Sequence, residues 1–110
     1  MHTDRENELR RKNRGAVFAL FRQGGEWSRQ QIAAALGLSL PTVTQNLKEL
    51  TALGLVCRTG TIGCTGGRRA AAYALVSRAR TAIGLDITRR QVTAVALDLR
   101  GEVLCTLRKS

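Results

Sequence analysis

The fold turns on residues 28–53, which read SRQQIAAALGLSLPTVTQNLKELTAL. Ser28 with Gln31 three residues later has the form of a capping box, in which each side chain reaches the other residue's backbone N–H and a helix opens. Ile32, Ala33 and Leu36 then recur at three- and four-residue steps, and Gly37 stops the helix. Two residues on, Ser39 is a second N-cap. The helix it opens runs from about Leu40 to Leu53, with Val43, Leu47, Leu50 and Leu53 on one stripe. Pro41 falls in the first turn, where its missing N–H costs nothing. Gly54 follows as a helix stop, with Leu55 for the apolar contact. Two short helices joined by Gly37-Leu38-Ser39 make a helix-turn-helix. Small Ala33 lets the helices cross closely, and the second helix is left to project its N-terminal end.

Working outward, Leu9, Asn13, Ala16, Val17, Leu20 and Phe21 define an amphipathic helix from about Asn7 to Gln23, ended by Gly24-Gly25. Downstream the period changes. Leu55 to Arg58 is a strand, Thr59 to Arg69 a Gly- and Thr-rich loop, and Ala70 to Leu75 the returning strand of a hairpin. A hairpin placed directly after a helix-turn-helix is a wing. A linker follows, and then strands at Ala82–Ile87, Gln91–Leu97 and Val103–Leu107. The middle one carries apolar residues on both faces and is expected to be buried on both. Cys57 is expected to pack as a small hydrophobe. The expected class is α+β: a winged helix-turn-helix of three helices and a hairpin over 1–76, a linker at 77–81, and a truncated β-meander over 82–110.

Composition narrows the partners. The 110 residues hold 18 Lys+Arg against 8 Asp+Glu, a formal net charge of +10. Such a balance suits a polyanion: DNA, RNA or an anionic membrane surface. Aromatics are 4% of the chain, which leaves few platforms for stacking single-stranded bases. No run of 18 apolar residues spans a membrane, and Met1 to Arg14 is too polar for a secretory signal, so a cytoplasmic address is expected. Cys57, Cys64 and Cys105 lack C-x-x-C spacing, and His2 is the single histidine. No catalytic, metal-binding or cofactor-binding residue is expected.

With Val43, Leu47 and Leu50 turned inward, the second helix of the pair offers Pro41, Thr42, Thr44, Gln45 and Lys48 outward. Glutamine pairs bidentately with adenine, and threonine meets a base edge or a thymine methyl. Pro41, Thr42, Thr44 and Gln45 are therefore the expected base-reading set. Asn13, Arg14, Ser28, Arg29, Ser39 and Lys48 are expected on the DNA backbone. At the wing tip, Gly66 and Gly67 allow close backbone approach, and Arg68 and Arg69 suit a narrow minor groove. The same polar residues also fit the solvated face of an ordinary helix and the end of an ordinary hairpin. The run from Arg10 to Arg14 fits either a phosphate contact or a solvated face.

Asn13-Arg14, Ser28-Arg29-Gln30-Gln31-Ile32-Ala33, Leu36-Gly37-Leu38-Ser39, Thr42-Val43-Thr44, Leu53-Gly54-Leu55-Val56 and Gly66-Gly67-Arg68 together resemble the N-terminal winged helix of ROK-family transcriptional repressors, itself similar to the MarR type. Ile83-Gly84-Leu85-Asp86-Ile87 and Val92 to Gly101 resemble the opening strands of that family's sugar-kinase-like, actin-like domain. Two departures stand out. Arg69 replaces the usual proline after Gly-Gly-Arg, and Asp86-Ile87-Thr88-Arg89-Arg90 lacks the Gly-Gly-Thr phosphate loop of the kinase members. The resemblance implies a sequence-specific repressor of a sugar-utilisation operon, bound to a double-stranded DNA operator. It also implies a homodimer through the C-terminal part and a sugar effector in a full-length form. The chain reads as an N-terminal fragment lacking the sugar-binding part. Competing expectations are a fragment of a ROK-type sugar kinase and a non-specific basic nucleic-acid-binding module.

Overall fold

A computed structural model describes residues 2–63 and 69–110, with side chains for 4–62 and 69–110. The elements run α1 (His2–Arg22), α2 (Arg29–Leu36), α3 (Leu40–Ala52), β1 (Val56–Gly63), β2 (Arg69–Leu75), β3 (Ala82–Ile87), β4 (Val92–Leu97) and β5 (Val103–Lys109). They divide into two compact units, Met1–Leu75 and Val76–Ser110.

In the first unit the caps act as their residues dictate. The Ser28 hydroxyl accepts the Gln31 N–H at 3.2 Å, and the Gln31 side-chain oxygen accepts the Ser28 N–H at 3.0 Å. Gly37, at φ +65°, takes the left-handed conformation that ends α2, and its N–H returns to the Ala33 carbonyl. Ser39 caps α3, with Pro41 in the first turn. Val17 and Phe21 from α1, Ile32 from α2, Val43, Leu47 and Leu50 from α3, and Val56 from β1 close into one core.

Two expected core positions fall outside it. Leu53 is 48% exposed, because it is the cap residue at the end of α3, where the apolar core no longer extends. Leu9 is 58% exposed, because it lines the open groove between α1 and α3 and not the core. The charged residues of α1 are good helix formers, and Asp4 in the first turn complements the helix dipole.

The hairpin strands are longer than expected. Pairing runs from Val56↔Leu75 to Gly63↔Arg69, so much of the anticipated loop is strand. A register shift between Arg58 and Gly60 is absorbed by Gly60 at φ +151°. With Val56 turned inward, the strand's two-residue period turns Cys57 outward. Cys57 is exposed and does not pack as a small hydrophobe. The base of the hairpin is fastened by a bridge absent from the sequence reading: Trp27 and Tyr73 exchange N–H···O bonds, each of 2.9 Å.

The second unit is an antiparallel meander in the order β3-β4-β5. Its middle strand is half-buried, not buried on both faces, and β3 and β5 are exposed along their whole lengths. Burial on both faces needs a layer on each side of the sheet, and this unit is the sheet alone. The buried Asp98 holds the β4–β5 turn by accepting the N–H groups of Arg100 and Glu102 at 2.9 and 3.0 Å. Among the described residues, no helix is long and apolar enough to cross a membrane.

Ile32→Ala is expected to cost about 2–5 kcal/mol, the range for emptying a well-packed aliphatic site. Leu53→Ala is expected to cost less than about 1 kcal/mol despite sharing the apparent stripe. Denaturant unfolding followed by helical circular dichroism checks both.

Candidate nucleic-acid interface

Helix α3 is divided by its own burial. Val43, Asn46, Leu47 and Leu50 are buried. At 100° per residue the opposite ridge consists of Pro41, Gln45, Lys48 and Ala52, and all four are exposed. Thr44 and Thr51 flank the ridge on one side, Thr42 and Glu49 on the other.

On the Thr44 side lies a groove of about 590 Å³ lined by Arg29, Thr44, Lys48, Thr51, Arg58 and Tyr73 among others. Three cations from α2, α3 and β1 meet there, and among the described residues no carboxylate lines it. The structure thus brings Arg29, Thr44 and Lys48 together as a set. It adds Arg58 and Tyr73, which were not singled out from sequence. Arg58 was within reach of sequence reasoning: two residues after inward Val56 along a strand, it belongs to the helix-facing side of the hairpin once Gly60 has taken up the bulge. Tyr73 was not, since its place depends on pairing with Arg58 and bridging Trp27.

On the other side a groove of about 450 Å³ runs between α1 and α3, with Arg10, Asn13, Thr42, Gln45 and Glu49 among its lining. Its charges are mixed. The Arg14 guanidinium donates to one Glu49 oxygen at 3.4 Å, and the Gln45 amide nitrogen donates to the other at 3.2 Å. Asn46, beneath this groove, is buried with its amide nitrogen unpartnered.

The remaining expected residues fare differently. The Ser39 hydroxyl accepts the Thr42 N–H at 3.3 Å and donates to the Thr42 hydroxyl at 2.9 Å, so the two are joined at the exposed start of α3. Ser28 is corrected: it is 0% exposed, its hydroxyl accepting the Gln31 N–H inside the capping box, and burial keeps it from a phosphate. Arg69 is exposed at the head of β2. Gly66, Gly67 and Arg68 lie outside the described residues.

Comparison with known proteins bears on this geometry. A family described as a helix-turn-helix domain matches residues 9–57. Over 96 residues the chain is 34% identical to the DNA-binding transcriptional dual regulator NagC of Escherichia coli (strain K12), covering 87% of this chain and 24% of that protein. The N-acetylglucosamine repressor of Shigella flexneri matches at the same identity and coverage. Over this span the chain is similar to proteins named as transcriptional regulators. It spans about a quarter of the length of the curated relatives it matches. A solved ROK family transcriptional regulator, described as a homologue of the E. coli MLC protein, superposes with a TM-score of 0.70 at 23% identity over 91% of this chain and 26% of its own. The α+β fold, three helices and a hairpin followed by an antiparallel meander, is therefore shared with that solved structure.

Ser28→Ala is expected to lower stability by about 0.5–2 kcal/mol through loss of the cap. Lys48→Ala on the exposed ridge is expected to change it by no more than about 0.5 kcal/mol. Thermal unfolding of the two variants separates a structural from a surface role.

Proposed function

We propose that the chain binds double-stranded DNA sequence-specifically and acts as a transcriptional repressor, with α3 in the major groove. The observation that carries this reading is the exposed ridge of α3 beside a groove lined by Arg29, Lys48 and Arg58 with no carboxylate. A major groove about 12 Å wide admits such a helix, and the cations fall where the flanking phosphates run. Pro41, Thr42, Thr44 and Gln45 face the bases. Asn13, Arg14, Arg29, Ser39 and Lys48 serve the backbone, joined by Arg58. The wing residues Gly66, Gly67, Arg68 and Arg69 serve the adjacent minor groove. The relatives' names support repression as the biological output. In the longer form typified by those relatives, two copies read a two-fold operator. A sugar of the N-acetylhexosamine class acts there as effector, and the protein works in the cytoplasm, beside its DNA.

Selection from a randomised duplex library tests the reading. At physiological salt the selected sequence is expected to bind at least about a thousandfold tighter than random duplex. Equal affinity for both identifies a non-specific basic module and overturns it. Gln45→Ala is expected to cost about 1–3 kcal/mol on the selected sequence and little on random duplex. Arg58→Ala is expected to weaken both alike and to reduce the slope of log K against log salt by about 0.9. Fluorescence anisotropy titrations across salt concentrations measure each.

A further inference from the structure

We propose that Glu49 is a positioning residue that sets base specificity by holding Gln45 in one amide orientation. This rests on the DNA-binding reading above. Gln45 and Glu49 stand one helical turn apart, and the amide nitrogen of Gln45 donates to Glu49 Oε1 at 3.2 Å. The second carboxylate oxygen, Oε2, accepts from Arg14 at 3.4 Å, so Glu49 is itself held from α1. A half-exposed ion pair of this kind adds little stability, so its consequence is geometric.

The chemistry follows from the donor inventory. A glutamine amide alone presents its oxygen and nitrogen in either order, because the two ends exchange by a flip. A carboxylate only accepts, so beside Glu49 the nitrogen is the end that must face it, and the carbonyl oxygen faces away. One amide hydrogen is used by Glu49 and the second remains. What Gln45 then shows a duplex is an acceptor beside a donor in fixed order. Adenine, with its N6 donor next to its N7 acceptor, complements that pair. Guanine presents two adjacent acceptors, N7 and O6, and meets the carbonyl oxygen with repulsion. Glu49 also brings a negative charge to the flank of the helix that approaches phosphates, partly offset by Arg14. It therefore lowers affinity for DNA in general while sharpening the choice of base.

The test compares wild type, Glu49→Ala and Glu49→Gln by selection and by anisotropy, at the operator position where Gln45→Ala relaxes the preference. Wild type is expected to favour adenine over guanine there by roughly tenfold or more. Glu49→Ala is expected to bring that ratio within about twofold while binding random duplex as tightly as wild type or tighter. Glu49→Gln offers Gln45 a carbonyl acceptor without charge, and is expected to keep most of the adenine preference while sharing the gain on random duplex. Circular dichroism verifies that both variants are folded. An undiminished adenine preference in Glu49→Ala overturns the proposal and leaves the DNA-binding reading intact. So does an equal loss on selected and random duplex, which marks a merely structural role. Absence of any selected sequence for wild type overturns both.

Discussion

Everything that gives this protein a usable surface depends on one constraint: the inner face of α3 is clamped in an apolar core that α1, α2 and β1 share. Val43, Leu47 and Leu50 are each at most 3% exposed, and they pack with Val17, Phe21, Ile32 and Val56. Each such side chain contributes about 1.5–3 kcal/mol relative to an exposed state. Rotation of α3 about its axis would sacrifice several of them together, so the ridge of Pro41, Gln45 and Lys48 is held outward by the opposite face of the helix. The Ser28 capping box, the left-handed turn at Gly37 and the Ser39 cap serve the same end, since they determine where α2 stops and α3 starts.

The two flanks of α3 differ in electrostatic character. Toward the hairpin, Arg29, Lys48 and Arg58 converge in a groove without a carboxylate. Toward α1, Glu49 ties Arg14 to Gln45. A purely cationic surface would favour any duplex through counterion release. An acidic residue that engages both a basic and an amide side chain trades part of that attraction for order. The Trp27–Tyr73 bridge has a comparable role for the hairpin, because it secures the strand that carries Arg58's partner against the connection between α1 and α2.

The second unit is a three-stranded sheet with exposed apolar side chains. Ile83, Leu85 and Ile87 alternate along β3 and pair with Ala96, Ala94 and Val92, so one face of the β3–β4 pair is apolar, and on β5 it continues through Cys105 and Leu107 to Lys109. Ile83 and Ile87 are 73% and 71% exposed. Sheets of this pattern ordinarily bury that face against helices or a second sheet. The unit's internal order rests on its backbone ladders and on Asp98 at the β4–β5 turn.

The sequence by itself determined the elements of the first unit and the outward set on α3, because caps, glycine stops and a 3.6-residue period are local properties. Ser28 with Gln31, Ser39 with Pro41, and the repeat of Val43, Leu47 and Leu50 needed no tertiary information. Leu9 and Leu53 were misjudged because periodicity says which way a residue points and not whether the core extends that far. Cys57 and Ser28 were misjudged because strand parity and cap burial are settled only when Val56 and the α2 terminus meet the core. Tertiary structure alone decided which side chains converge. Arg58 and Tyr73 come to Arg29 and Lys48 through hairpin register and the Trp27 bridge. Arg14 comes to Glu49 across 35 residues of chain because α1 and α3 share a core. Encounters between residues so far apart in sequence are set by packing, which no local pattern encodes.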